Sequence, residues 1–151
     1  MPSDSTVFVD TNVILYAQDP REPGKQAAAA AWLGRCWRAS CGRLSSQVLH
    51  ETYVNLRRMA PALPVGDCRA VVRRYRSWGA WQVDEATVEQ AWDMQDRLGF
   101  SYWDALMVAA AQMQGCTLLL TEDLQHDQRI DKLRIVNPFI VGPELLDSPA
   151  T

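Results

Sequence analysis

Thr6-Val7-Phe8-Val9-Asp10-Thr11-Asn12-Val13-Ile14-Leu15-Tyr16-Ala17 reads as a short strand that stops at an acid and turns directly into a helix. Val7, Phe8 and Val9 are apolar in succession, the pattern of a strand covered on both faces. Asp10-Thr11-Asn12 ends it and can cap a helix over residues 13–17. Residues 116–120 make a second such strand, followed by Thr121-Glu122-Asp123, and Arg134-Ile135-Val136 a third. Between them the spacing predicts helices over 25–38, 46–58, 67–77, 84–98 and 101–114, and short strands at 43–45 and 81–83. Two prolines and Gly66 make 59–66 a loop, and Gly99 and Gly115 stop the helices before them. Strands alternating with helices predict an α/β chain, a parallel sheet covered by helices on both faces. There is no repeat, low-complexity segment or internal boundary, so residues 1–151 are expected to form one domain.

Four acids stand where elements begin or end. In α/β sheets polar sites collect beyond the carboxyl ends of strands, and Asp10 and Asp123 both follow such ends. Glu51 lies within the helical stretch Gln47-Val48-Leu49-His50-Glu51, and Asp104 near the start of Ser101-Tyr102-Trp103-Asp104. Each has a plainer explanation alone: Asp10 as an N-cap or turn residue, Asp104 in a capping-box position after Ser101, Glu51 as a helix charge, Asp123 as a loop acid. Together they suggest an oxygen-lined site for a hard divalent cation, hence a metal-dependent enzyme acting on phosphates. Two carboxylates about 4 Å apart repel by ~4 kcal/mol at an effective dielectric near 20. A cluster of them needs a counter-charge, which Mg²⁺ or Mn²⁺ supplies.

Bulk properties narrow the class. The chain is 48% hydrophobic and 22% charged, as globular proteins are, and no apolar run approaches the ~20 residues of a membrane span. Residues 1–5 lack the basic region of a signal peptide, so a cytoplasmic location is expected. Cysteines 36, 41, 68 and 116 form no Cys-x-x-Cys pair, which argues against a zinc site and suits a reducing compartment. The net charge of −3 disfavours nucleic-acid binding by bulk charge. Yet Arg57, Arg58, Arg69, Arg73, Arg74 and Arg76 share a twenty-residue window with a single acid, Asp67. That window can meet phosphates or merely solvate helix faces. Trp78, Trp81, Trp103 and Tyr75 could stack on bases, although packing is the first expectation for each.

The ordered set Val9-Asp10-Thr11-Asn12-Val13, helical Glu51, Tyr102-Trp103-Asp104-Ala105 and Leu120-Thr121-Glu122-Asp123-Leu124-Gln125 resembles the PIN-domain ribonucleases, nearest the VapC-type toxins of toxin–antitoxin pairs. The resemblance spans about residues 6 to 137. It implies a three-layer α/β/α sandwich with a central parallel sheet, Mg²⁺- or Mn²⁺-dependent endoribonuclease activity, a homodimer, and a cognate antitoxin that silences the toxin. It further implies Asp10 and Asp104 as principal metal ligands, Glu51 as the third acid and Asp123 as a fourth, more variable one. Thr11, Asn12 and Thr121 match positions that steady the metal ligands. Asp127 stands where many relatives carry glycine or another small residue, which leaves its role open. Hydrolysis would use a water made acidic by the cation and leave 5′-phosphate and 3′-hydroxyl ends. Arg57, Arg58, Arg73 and Arg76 are the candidate RNA contacts, and neither His50 nor His126 is marked as a general base.

Other readings are weaker. A haloacid-dehalogenase-like phosphatase would want an aspartate two residues after Asp10, where Asn12 stands, and a phospho-receiver would want paired acids there. A PIN-like module that binds metal or a partner without turnover, and a PIN nuclease of RNA processing, remain as alternatives.

Overall fold

In the computed structural model, which describes residues 5–147, the strand Val7–Val9 (β1) is buried along its whole length. Residues 1–4, on which the expectation about a signal peptide largely rests, and 148–151 lie outside the described residues. Full burial of Phe8 alone is worth about 1.5–3 kcal/mol. The chain groups into two compact units, residues 1–42 with 116–151, and residues 43–115.

The first unit carries the sheet. The helix Thr11–Ala17 (α1) follows β1 at once, and Pro23–Ala39 (α2) packs on it. The chain passes to the second unit through β2 (Gly42–Arg43) and returns as β3 (Leu118–Leu120), β4 (Arg129–Ile130) and β5 (Leu133–Val136). The sheet order is β2-β1-β3-β5-β4. β3 is parallel to both β1 and β5, whereas β4 is antiparallel to β5. Asp131 takes a left-handed backbone (φ 54°) between β4 and β5, where an aspartate is tolerated better than most residues. A short 3-10 helix, Pro143–Asp147, packs on α2, and the buried Trp32 donates its Nε1–H to Val141 O at 2.9 Å.

The second unit is helical: Ser46–Met59 (α3), Val65–Arg76 (α4), Glu85–Leu98 (α5) and Tyr102–Met113 (α6). α3 packs on α4 and α5 on α6. Their starts are written locally. Ser45, Asp84 and Ser101 each accept a backbone N–H from the helix they precede. Gly99 closes α5 with φ 71°, a left-handed position that glycine fills without strain. Residues 105–111 of α6 are buried without interruption.

The α/β class, with six α-helices among the described residues and parallel pairing of β1, β3 and β5, is as predicted from the sequence. Three details correct it. Residues 81–83 form no strand; Trp81 makes one isolated bridge with Ser45, while its Nε1–H donates to Thr87 Oγ1. The sheet is not wholly parallel, because β4 turns back on β5. Trp103, expected to pack, is 63% exposed.

Candidate active site

Asp10 is the buried acid of the set, only 7% exposed. It sits at the carboxyl end of β1 and caps α1, accepting from Thr11 N–H on Oδ1 at 2.6 Å. Its other oxygen, Oδ2, accepts from Thr121 Oγ1–H at 2.8 Å and Asn12 Nδ2 at 3.2 Å. Thr121 stands one residue beyond β3, and the parallel register Val9↔Leu120 sets it beside Asp10. So the capping explanation of Asp10 holds for one oxygen, while the second is held by side chains.

Asn12 joins this acid to the next. The same Nδ2 donates to Asp123 Oδ2 at 3.0 Å, so one amide spans both carboxylates. Its own oxygen, Oδ1, is buried and has no hydrogen-bond partner among the described residues. Thr121 Oγ1 meanwhile accepts the Asp123 backbone N–H at 3.0 Å. Asp123 itself is exposed.

Beside Asp123, Glu122 pairs with Lys25 at 2.9 Å. Lys25 also donates to the Tyr16 hydroxyl at 3.3 Å and lies 4.6 Å above the Tyr16 ring. The hydrogen bond to Glu122, followed by burial, raises the Tyr16 phenol above its ordinary pKa. Glu122 likewise raises the Lys25 ammonium. Nothing in the sequence announces this contact, whose partners are 97 residues apart.

The second unit holds the other two acids, Glu51 on α3 and Asp104 in the first turn of α6, both half-buried. Gln47, one helical turn before Glu51, donates from Nε2 to Glu51 Oε1 at 2.9 Å and more weakly to Trp103 O at 3.4 Å. The sequence reading passed over Gln47, although its i, i+4 spacing to Glu51 was a readable signal. The Ser101 cap uses the Asp104 backbone N–H. Of the candidate arginines, Arg57 donates to Leu63 O at 3.2 Å and holds the loop after α3, whereas Arg58, Arg73 and Arg76 are exposed. His50 is exposed on α3, and His126 Nδ1 accepts the Asn137 N–H at 3.0 Å.

Asp127 adopts a left-handed backbone (φ 68°), a conformation that glycine fills most easily and that aspartate tolerates better than most residues. It pairs with Arg134, whose Nε lies 2.9 Å away, and that guanidinium holds the Asp127 carboxyl below the usual range.

A PIN-domain family model matches residues 7–132. The chain belongs to the PIN-domain family. The match runs through both units, and the resemblance read from the sequence is borne out. No curated protein matches the chain. Among solved structures, this PIN domain is similar to a toxin–antitoxin complex from Klebsiella pneumoniae, at TM-score 0.61 and 18% identity over 89% of this chain and 98% of that one. VapC20 of Mycobacterium tuberculosis, described as a sarcin–ricin loop cleaving toxin, aligns at TM-score 0.53 and 21% identity, over 76% of this chain and 87% of its own. VapBC2 of Rickettsia felis, solved with a DNA fragment from its promoter, aligns at TM-score 0.59 and 14% identity, over 86% and 96%. At such identities the likeness is one of fold.

Among the described residues no group of three or more His, Cys, Asp or Glu is placed to hold a metal ion. The test of fit is therefore the donor chemistry. Asp10 and Asp123 present oxygens only, as a hard cation requires. The electropositive hydrogens of one amide lie against both, and the buried Asn12 Oδ1 is a further oxygen with no partner. These residues suit a divalent ion.

Proposed function

We propose that this PIN domain is a divalent-metal-dependent endoribonuclease and the toxin of a type II toxin–antitoxin pair, a cytoplasmic homodimer restrained by a cognate antitoxin. The observation that carries this reading is the coupling of Asp10 and Asp123 through Asn12 and Thr121 at the carboxyl end of the sheet. PIN-family membership and a fold like that of toxin–antitoxin proteins support it. The four buried free cysteines suit a reducing compartment, and no described helix is long and apolar enough to cross a membrane.

Asp10, Asp104, Glu51 and Asp123 are the proposed holders of Mg²⁺ or Mn²⁺. When bound, the ion would supply Lewis acidity and acidify a water. The chain's own residues do the rest. Thr121, Thr11 and Asn12 fix the Asp10 carboxylate so that little reorganisation is left to the reaction. Gln47 steadies Glu51, which is available to orient a water. Arg58, Arg73 and Arg76 offer charge to the RNA backbone, so binding weakens as salt rises.

The test is cleavage of a pool of transfer and ribosomal RNA with Mg²⁺, Mn²⁺ or EDTA, for wild type, Asp10→Asn and Asp104→Asn. Metal-dependent cuts that leave 5′-phosphate and 3′-hydroxyl ends, and vanish in both variants, are expected. Products ending in 2′,3′-cyclic phosphate, or cleavage indifferent to EDTA, would overturn the mechanism. A folded protein that binds Mn²⁺ through these acids and never cuts RNA would be a binding module.

A further inference from the structure

Trp103 is the most exposed large apolar side chain described in the second unit. An indole left in water forgoes burial energy of about 25 cal/mol for each Å² it could have hidden. Its surroundings are nonetheless ordered. Tyr102 meets its ring edge-on at 5.3 Å, and Asp104 is the next residue of the same helical turn. The Gln47 amide that donates to the Trp103 carbonyl also donates to Glu51. One side chain thus joins the backbone that carries the exposed ring to a candidate catalytic acid.

The strip continues along α3. Glu51, Val54 and Arg58 follow Gln47 at i+4, i+7 and i+11, spacings that keep to one helical face. Val54 is 46% exposed and Arg58 is exposed, while Val48, Thr52 and Leu56 occupy the buried face. The apolar groups of the strip are interrupted by an amide, a carboxylate and a guanidinium. An amphipathic protein helix needs a continuous apolar groove. A nucleic-acid strand, by contrast, offers apolar base faces and anionic phosphates in alternation.

We propose that Trp103 is a stacking platform for an unpaired base of the RNA and Arg58 a phosphate contact farther along α3, so that the strip selects single-stranded over paired RNA. This rests on the nuclease reading above. A base in a duplex has both faces covered by its neighbours, whereas an unstacked base can lie on the indole.

The experiment is fluorescence anisotropy of a labelled ten-nucleotide single-stranded RNA, and of the same sequence in duplex, in EDTA so that no cleavage intervenes. Trp103→Leu keeps apolar bulk but removes the ring, and Trp103→Phe restores a smaller one. Trp103→Leu is expected to weaken single-strand binding about 5- to 150-fold, the range of one lost stacking contact, with partial recovery in Trp103→Phe. Duplex binding should be weaker and indifferent to the substitution. Arg58→Ala should lower the salt slope of binding by about one. Unchanged single-strand affinity in Trp103→Leu overturns the proposal, as does an equal loss on duplex. So does intact RNA binding accompanied by lost self-association, which would make the strip a protein interface. Cleavage run in parallel separates the two claims. Trp103-dependent binding without metal-dependent cleavage sinks the nuclease reading alone, and cleavage with Trp103-independent binding sinks this inference alone.

Discussion

The Thr121 hydroxyl donates to Asp10 Oδ2 at 2.8 Å across 111 residues of sequence, and its oxygen accepts the Asp123 backbone N–H at 3.0 Å. One fully buried hydroxyl therefore serves two acids on neighbouring strand ends. Thr121→Val keeps the shape and removes both bonds, which is not a neutral exchange in a core. A loss of about 2–3 kcal/mol in unfolding free energy is expected, because one acceptor is a carboxylate and the orphaned N–H stays in place. Urea titration with an unchanged m-value reads it, and Thr121→Ser should recover most of it. A valine variant as stable as wild type would show that the hydroxyl holds nothing.

Asn12→Ala takes away the amide shared by Asp10 and Asp123. On the proposed function, cleavage and Mn²⁺ affinity should fall together by about 10- to 100-fold, as when other supporting groups of metal sites are removed. In wild type the thermal midpoint should climb with Mn²⁺ concentration by mass action, and in Asp10→Asn it should not. Calorimetry and a thermal series check both. A fall in cleavage without any change in Mn²⁺ affinity would place Asn12 with the RNA rather than the ion.

The Asp127–Arg134 pair predicts a pH dependence. Arg134 depresses the folded carboxyl below its usual 3.8, so the native state binds the proton less readily than the unfolded chain. Its stabilisation is fully present above that usual value and is lost as pH falls through the lower, folded one. Asp127→Asn tolerates the left-handed backbone and lacks the charge. The thermal midpoints of wild type and variant should differ at neutral pH and converge in acid. The difference should be small, because the pair is exposed and screened. A gap that widens on acidification contradicts the assignment.

Trp32→Phe tests the link between α2 and the C-terminal 3-10 segment. The smaller ring leaves a void at a site with no exposure and strands the Val141 carbonyl. A cost of about 2–4 kcal/mol is expected from those two effects together. Thermal or denaturant unfolding measures it, and a change under 1 kcal/mol would mean the segment closes over the gap.

The helices were legible because their signals are local. Ser45, Asp84, Ser101 and Gly99 mark boundaries within a residue or two of where the sequence put them. α4 began earlier than expected, at Val65, since Pro64 is compatible with the position before a helix. β4 was missed because Arg129–Ile130 is polar at one position and exists only through its pairing with β5. Residues 81–83 looked like a strand by composition, yet composition cannot supply a neighbour, and only Ser45 bridges Trp81. In the site, the acids stood out by type and position. Their supports divided by distance: Asn12 and Thr121 lay inside recognisable motifs, whereas the Lys25 partner of Glu122 is set by folding alone.

β1 and β3 are three residues long, apolar throughout and buried throughout. A pattern of inward and outward side chains ordinarily tells a strand its register, because a one-residue slip would turn oily groups to water. Val-Phe-Val against Leu-Leu-Leu carries no such message, since every slip is equally oily. The polar residues at the strand ends carry it instead: a slip of one position moves Thr121 about 3.3 Å along Asp10 and breaks their bond. The acids proposed for chemistry thus double as alignment marks for assembly of the sheet. Selection for a working site and selection for a correctly threaded sheet then act on the same atoms, and a variant that disarms the protein should also loosen the fidelity with which it folds.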